Sequence, residues 1–500
     1  MPPIIQTQPV MFTVKDLLHT LNTPVSAPRT PFTGRRVHFV GVGGSGMSGL
    51  AHMLLNFGAL VSGTDRTASA ATRRLAEIGA SIGYEQNGDS VPDGTEIVVH
   101  SAAIGPQHPE MIAARAKRCE ILKYAQMLGK VMSLKRGIAI AGTHGKSTTT
   151  AMTAHVLLAA GKDPSYVVGA TCEQLGGSAR SGAGELFVVE ACEYDRSFHN
   201  LRPHIGAALN IEEDHLDYYT KGIDEIVESF THFLGQIDPN GLALISAIDP
   251  NCATAAKNIE ARVETYGIDT AADWQATGIR RYQGKAHFQV VYKGKKMGRL
   301  VLGLPGRHNV GTATVAAAIA THCGLTWEQI QSAVETFRGA DRRSQRLGQF
   351  PHPEFPGDLN VTIIDDYGHH PTEVRATLRG AREGFAGRII VAFQPHRYTR
   401  TQLLLDEFAG AFDDADLLFV TDIYAAGEAP IPGVGAQKVC EAITAHGHRG
   451  ARCVPSRAKV AAALAEAVRE GDMIITLGAG DIWKTGMELL SLLKAGRRDT

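Results

Sequence analysis

Three times along the chain, short apolar runs alternate with amphipathic stretches, and the turns between them carry glycines or acids. In the first block Arg36–Gly41 reads as a buried strand. A glycine-rich turn follows, then a helix to about Phe57, a strand at Leu60–Asp65, a helix from about Thr67 to Gly79 and a strand at Glu96–His100. Alternation at this spacing predicts a parallel sheet with right-handed crossovers. The stretch Met127–Lys135 reads as helical and polar enough to lead into a linker. The second block opens with a strand at Gly137–Gly142 and a helix ending near Gly161. Strands at Leu186–Glu190, Ile205–Asn210 and Leu242–Ser246 follow, then a hairpin at His287–Leu302 turning at Lys293. Helices at Asn309–Cys323 and Trp327–Phe337 close it. Beyond the basic stretch Asp341–Arg346, strands at Val361–Asp365, Arg388–Phe393, Leu417–Thr421 and Met473–Leu477 repeat the doubly wound pattern. The expected organisation is an N-terminal extension over 1–33 and three domains, 34–134, 135–341 and 342–500.

Composition narrows the class. A chain of 500 residues is long for one domain. Hydrophobic residues at 44% and charged residues at 20% are ordinary for a folded soluble protein and argue against disorder. A net charge of −1 leaves no gross electrostatic footprint for nucleic acid or an anionic membrane. Neither a transmembrane run nor a secretory leader is expected. The seven cysteines are scattered without a Cys-x-x-Cys pair, which suits reduced thiols in a cytoplasmic protein.

Two glycine-bearing turns carry phosphate chemistry. Gly41-Val-Gly-Gly-Ser-Gly46 lies between a strand and a helix, where backbone N–H groups can approach a diphosphate. Asp65 ends the next strand, at the distance where an acid holds a ribose hydroxyl. The pattern fits NAD or FAD as well as any other nucleotide. Gly142-Thr-His-Gly-Lys-Ser147 has the same strand-to-helix setting. It departs from the usual phosphate loop, because Ile140 stands where the first glycine belongs. In such a loop Lys146 reaches the β/γ-phosphates and the Ser147 hydroxyl ligates Mg²⁺. A dehydrogenase needs no triphosphate loop and a simple ATPase needs no second diphosphate cradle. An enzyme that spends ATP on a nucleotide-linked substrate uses both.

Acidic and imidazole groups follow the apolar strands. Glu190, Glu193 and Asp195 follow one, and Asn210-Ile-Glu-Glu-Asp-His215-Leu-Asp217 follows the next. Carboxylates such as Glu190 suit Mg²⁺, and His215 suits a second metal or a phosphate. Asp365-Asp-Tyr-Gly-His-His-Pro-Thr-Glu373 and Gln394-Pro-His-Arg-Tyr-Thr-Arg400 occupy strand ends in the third block. In a helical turn Arg397 and Arg400 would share a face, suiting a substrate carboxylate.

Together with Val40–Gly49 and His308-Asn309, these stretches resemble the Mur ligases, in order from about Gly34 to the last strand. The branch they most resemble joins L-alanine to UDP-N-acetylmuramate. The resemblance implies an α/β fold of three domains: a Rossmann-like UDP-binding domain, a central P-loop-type ATPase domain with a mostly parallel sheet, and a C-terminal Rossmann-like domain on the amino-acid side. It implies an amide ligase that uses ATP and one or two Mg²⁺ ions and works in cytoplasmic peptidoglycan precursor synthesis, as a monomer or homodimer. By the same resemblance Gly43, Gly44, Ser45, Met47, Ser48 and Asp65 bind the UDP sugar. Gly142, Thr143, His144, Gly145, Lys146, Ser147 and Thr148 bind ATP, with Asn309 facing the adenine, Arg343 the γ-phosphate and Asp366 the ribose or the domain alignment. Ser147, Glu190 and His215 hold metal, while Lys146, His215, Arg343 and Asp366 form the catalytic set. Tyr367, His369, Arg397 and Arg400 line the amino-acid and muramoyl side. The chain departs from the family pattern at Thr312, Cys192 and Ser344, where Asn, an acid and an aromatic are usual. Competing readings are a recycling ligase that attaches a whole tripeptide to the same sugar nucleotide, a nicotinamide-dependent oxidoreductase, and a non-catalytic nucleotide-binding regulator.

Overall fold

Each predicted alternation closes into its own sheet in the computed structural model, which describes residues 30–349 and 361–495. Nearly all of the expected extension 1–33 lies outside the described residues. The chain divides into two compact units, Met1–Leu122 and Lys123–Thr500.

The first unit carries β1 (Arg36–Val40), β2 (Leu60–Thr64), β3 (Ser81–Gly83), β4 (Ile97–His100) and β5 (Glu120–Lys123), in the order β3-β2-β1-β4-β5. β1 pairs parallel with β2 on one side and β4 on the other, so the turn after β1 sits where the strand order reverses. That crevice is where open α/β sheets bind ligands. Helices cover both faces of β1, and Val37, Phe39 and Val40 are buried. The one polar side chain among them is satisfied: His38 Nε2 lies 2.7 Å from Glu110 and Nδ1 2.9 Å from Ser62.

The second unit holds two sheets. The first contains β6 (Arg136–Ala141), β7 (Ser165–Val167), β8 (Ala179–Arg180), β9 (Leu186–Glu190), β10 (Ile205–Ala208), β11 (Leu242–Ser246), β12 (Arg262–Ile268), β13 (Trp274–Tyr282), β14 (Lys285–Tyr292) and β15 (Lys295–Leu302). Their order is β15-β14-β13-β12-β11-β10-β6-β9-β7-β8, parallel from β7 to β13 and antiparallel at both edges. The predicted hairpin is β14–β15. The sequence reading missed β12, buried only at two of its positions, and β13, whose burial alternates, so neither forms an apolar run. Helices Lys146–Ala159 and Arg307–His322 pack against each other, and their Ala-, Thr- and Val-rich surfaces are almost wholly buried.

The last sheet is β16 (Gln345–Gln349), β17 (Thr362–Asp366), β18 (Ile389–Phe393), β19 (Leu417–Val420), β20 (Ala451–Cys453) and β21 (Met473–Leu477), ordered β16-β17-β21-β18-β19-β20. Only β16 runs antiparallel to its neighbour.

The expectation of a polar helix leading into a linker at Met127–Lys135 is corrected. Helix Tyr124–Met132 buries Met127, Leu128, Gly129, Val131 and Met132. A Cβ added at Gly129 would lie 2.1 Å from the Asn200 carbonyl oxygen. Helix propensity alone favours Gly129→Ala by up to about 1 kcal/mol. Because the clash is with backbone, the net effect should instead be a destabilisation of about 1–3 kcal/mol, read as a lower Tm. Among the described residues no helix is long and apolar enough to cross a membrane.

Candidate active site

The loop after β6 is shaped by two glycines and one asparagine. Gly142 has φ 144°, and a Cβ there would meet Leu209 Cβ at 2.9 Å; Gly145, at φ 81°, caps helix Lys146–Ala159. Both conformations favour glycine. Asn210, just past β10, fixes the loop by accepting from His144 N at 2.7 Å and donating to His144 O at 3.1 Å. Glu212 N donates to Thr143 Oγ1 at 2.9 Å. The loop thus stands at the split between β9 and β10, with the N-terminus of a buried helix opening onto it.

Lys146 folds back onto that loop. Its Nζ donates to Gly142 O at 2.6 Å, Thr143 O at 3.0 Å and Glu193 Oε1 at 2.9 Å. Burial works against its charge, but Glu193 outweighs burial and holds the ammonium above its usual pKa. Glu193 Oε2 is buried with no hydrogen-bond partner, and His215 Nδ1 is in the same condition. His215 has φ 54° and its Nε2 lies 3.8 Å from Glu193 Oε1. Glu190 ends β9 and accepts from Gly169 N at 2.6 Å. The Ser147 hydroxyl, the Glu190 carboxylate and the orphaned Glu193 oxygen are hard oxygen donors, the set Mg²⁺ takes. Glu193 was not among the metal ligands expected from sequence. The signal for it was present, since it lies three residues past the strand-end acid.

A cleft of about 690 Å³ opens beside the loop. His144, Gly145 and Thr148 contribute to its lining from the loop and helix start, and Tyr266, Ile268 and Leu304 add apolar surface suited to a planar base. Asn309 lines it and donates to Pro305 O at 2.6 Å. Thr312 Oγ1 accepts from Thr149 at 3.4 Å, so it ties the two buried helices together. Arg343 enters from the connection between the sheets. The residues on either side of it, Arg342 (φ 59°) and Ser344 (φ 50°), adopt left-handed backbone, and this zigzag turns Arg343 toward the cleft while Arg342 binds Asp365 at 3.0 Å. The Tyr367 ring has both guanidiniums over it, at 5.0 and 4.9 Å. Burial opposes the Arg343 charge, but Glu373 and Asp366 outweigh it and raise its pKa. Asp366 accepts from Ser344 N at 2.7 Å and Gly368 N at 2.8 Å, so it anchors this connection as well as lining the cleft.

The loop after β10 faces the third sheet through its acids. Glu212 accepts from Thr372 at 2.8 Å, Asp214 from Arg400 at 2.7 Å and Asp217 from Arg397 at 3.0 Å. Burial opposes the Asp214 charge, yet Arg400 holds its carboxyl far below the usual range. The expected helical face shared by Arg397 and Arg400 is corrected. Arg397 precedes helix Tyr398–Leu403 with φ 67°, so the two guanidiniums go to separate carboxylates. The His369 ring lies 5.6 Å from that of His396 and 5.3 Å from that of Tyr367.

His144, Glu212 and His370 are the one group of three potential metal-ligating side chains within mutual reach among the described residues, their ligand atoms lying within 4.8 Å. None was singled out from sequence as a metal ligand. His370 Nδ1 accepts from Thr372 N at 3.3 Å as a helix cap, so its buried Nε2 carries the hydrogen and presents no lone pair to a cation. The His144 ring instead lies between two carboxylates, Glu212 and Glu373, each 3.4 Å away. Burial works against its protonation, but the two acids prevail and raise its pKa to about 9.

In the first unit Asp65 is committed to the turn itself. Its Oδ2 accepts from Gly43 N at 2.8 Å, and a Cβ at Gly43 would collide with that oxygen at 2.8 Å. Met47 is buried, so its side chain is core and only its backbone can face a ligand; Ser48 N donates to Gly44 O at 2.8 Å. Gly44 caps helix Ser45–Asn56 without a side-chain bond, leaving a bare helix N-terminus at the crevice.

Three domain profiles match the chain in order: the Mur ligase family catalytic domain over 36–136, the Mur ligase middle domain over 140–320 and the Mur ligase glutamate ligase domain over 354–480. A UDP-N-acetylmuramate–L-alanine ligase of Syntrophotalea carbinolica is 43% identical over 460 residues, 92% of this chain and 98% of that one. The enzyme of that name from Geotalea daltonii is 44% identical over 460 residues, 92% and 98% of the two chains. A crystal structure of a UDP-N-acetylmuramate–alanine ligase from Thermotoga maritima superposes with a TM-score of 0.75 at 27% identity, covering 92% of this chain and 99% of that one.

Proposed function

The chain belongs to the Mur ligase family, and on that premise we propose that it is the ATP-dependent ligase joining L-alanine to the carboxylate of UDP-N-acetylmuramate. The observation that carries this reading is the convergence on one cleft of the Lys146 loop, Arg343 and Glu212, whose loop binds Thr372 through Glu212, Arg400 through Asp214 and Arg397 through Asp217. Its place is peptidoglycan precursor synthesis, which makes the cytoplasm its site of action.

The muramate carboxylate attacks the γ-phosphorus of ATP and forms an acyl phosphate; the amine of L-alanine then displaces phosphate. Carboxylate and triphosphate repel each other, so cationic groups must neutralise charge as it develops. Lys146 and Arg343 supply two such charges. Ser147, Glu190 and Glu193 would hold Mg²⁺, with His215 beside them; the ion screens the phosphate oxygens when bound. Asn309 and the apolar end of the cleft take the adenine, and the helix N-terminus after Gly44 takes the UDP diphosphate. Tyr367, His369, Arg397 and Arg400 serve the amino-acid and muramoyl side. Because Asp214 and Asp217 occupy these arginines, a substrate carboxylate must compete with them, and Arg400→Lys should raise KM for the acid or amino acid by about 10-fold, as bidentate binding is lost.

Phosphate release in the presence of UDP-N-acetylmuramate, ATP and Mg²⁺ tests the reading. Release should depend on L-alanine. Turnover with L-alanyl-γ-D-glutamyl tripeptide instead would assign the recycling reaction, and tight NAD binding without ATP cleavage would refute both.

A further inference from the structure

We propose that the cavity at the N-terminal ends of β6, β10, β11 and β12 is a phosphate-binding site, separate from the cleft, in which Arg136 and Arg262 meet the anion from either side. The strand order β12-β11-β10-β6 sets these ends side by side. Paired residues of a parallel ladder share a face, so Ile138, Ile205, Leu242 and Arg262 point the same way. Arg136, two residues before Ile138, points with them. At about 4.8 Å per strand the two arginines start about 14 Å apart across the sheet. Both line one cavity of about 290 Å³, together with His204, Asn240 and His322. Among the described residues no Asp or Glu lines it. The chain carries 51 acids against 50 Lys and Arg, so composition does not account for such a lining. None of these residues lines the cleft, which lies at the opposite ends of the strands, roughly 16 Å away along β6.

The donors of this cavity are unspent. Among the described residues the side chains of Arg136, His204 and Asn240 make no hydrogen bond or ion pair. His204 is held by its backbone, N donating to Gly137 O at 2.8 Å and O accepting from Leu242 N at 2.9 Å. Burial and Arg136 keep its ring below the ordinary histidine pKa, so near neutral pH it is uncharged with one N–H to give. Arg262 is held through a relay. The buried Glu264 only accepts, so His322 Nε2, 2.9 Å away, carries the hydrogen, and Nδ1 takes one from Arg262 Nη2 at 3.4 Å. Glu264 lies 3.6 Å from Arg262 Nε and accepts from Trp274 and Tyr292 at 2.8 and 2.7 Å, so its charge is matched within the fold. Asp238 and Glu185, the acids that act on His204 and on neighbouring Cys323, stand outside the lining.

Two guanidiniums on one cavity match a dianion that accepts hydrogen bonds from several directions. A tetrahedral phosphate does this; a carboxylate, planar and singly charged, satisfies one guanidinium and leaves the other unmatched. The volume is below that of sites for drug-sized ligands, so the occupant is inorganic phosphate or the phosphate of a small monoester, and a nucleotide is too large. The site takes nothing from the ligase reading and stands or falls separately from it.

Calorimetric titration of the full chain with inorganic phosphate, at constant ionic strength and with a non-hydrolysable ATP analogue and Mg²⁺ filling the cleft, tests the site. Wild type should bind phosphate saturably, and acetate at least about 10-fold more weakly. Arg136→Gln should weaken phosphate about 10-fold, because one charge-assisted contact is lost. Its Tm should match that of wild type, since Arg136 is exposed and holds no partner among the described residues. Lys162→Gln removes a cation that, like Arg136, acts on Cys323 but lies outside the lining, and should change binding less than about twofold. Glycerol 3-phosphate binding as tightly as inorganic phosphate would assign a monoester, and weaker binding would assign the free ion; either result supports the site. Phosphate binding that the ATP analogue abolishes, that Arg136→Gln leaves unchanged, that Lys162→Gln weakens equally or that acetate matches would overturn it, as would no saturable binding at tens of millimolar. If the ATP analogue itself fails to bind, the ligase reading is in question, and the comparison of Arg136→Gln with wild type still decides the phosphate site.

Discussion

Lys146→Ala should lower kcat/KM for ATP by on the order of 10³-fold, read as phosphate release at saturating L-alanine and acid. The ammonium sits at the mouth of a helix N-terminus, and three oxygens hold it in place. Incoming phosphate oxygens can replace those contacts without moving the side chain far. On the proposed reading the charge then stands where the triphosphate and the muramate carboxylate repel each other. Removing it also strands Glu193, whose side chain is 4% exposed and whose second oxygen already lacks a partner. Breaking such a buried pair from one side costs about 3–5 kcal/mol. Loss of activity by unfolding is therefore a rival explanation for the same variant. The double variant Lys146→Ala with Glu193→Gln removes the uncompensated charge, so it should recover most of the lost Tm and none of the lost activity. If activity returned along with Tm, the role of Lys146 in phosphate binding would be refuted.

The elements that sequence pattern announced are those in which burial is continuous along a strand. β6, β9, β11 and β18 carry apolar residues on both faces, and β1 and β21 do so with one buried polar side chain each, His38 and Thr476; such runs are visible without any partner. The loops that follow them were visible for the same reason. Where burial is intermittent, as along β12 and β13, or where a helix hides behind polar residues, as at Tyr124–Met132, the pattern said less. The site shows the same division. The positions of the Lys146 loop and of Asp366 beside the cleft follow from local strand-to-helix geometry, whereas Arg343 is turned to it by left-handed residues on either side. The cluster of His144, Glu212, His370 and Glu373 does not, because His144, Glu212 and the helix start that carries His370 and Glu373 come from three separate segments. Only the fold makes them neighbours, and their charge states depend on one another. Arg397 and Asp65 illustrate a further gap. A helical spacing does not reveal a left-handed residue at the helix start, and a strand-end acid does not reveal that it is committed to its own turn.

That cluster makes stability depend on pH in a definite direction. His144 has an ordinary pKa of 6.5 when unfolded and about 9 in the folded chain, where Glu212 and Glu373 overcome its burial. A group raised on folding contributes fully below its unfolded value, so below pH 6.5 the contribution is complete. It is lost progressively as pH rises to about 9. The two carboxylates behave oppositely. Their pKa values are lowered on folding, so their share is present above 4.5 and lost on acidification. The cluster as a whole therefore stabilises most between about 4.5 and 6.5. The His144 side chain is only 12% exposed, so solvent screening is slight. Its share is on the order of 3 kcal/mol. Denaturant unfolding at pH 6.5 and pH 9 should show wild type losing roughly that amount more than His144→Asn does. Parallel losses in the two proteins would mean that the imidazole is neutral already at the lower pH and that the carboxylates are held by Thr372, Arg343 and the backbone alone. The effect reaches function because Glu373 also seats Arg343 and His369. An alkaline shift that frees Glu373 from His144 therefore also bears on Arg343, the charge proposed to meet the γ-phosphate.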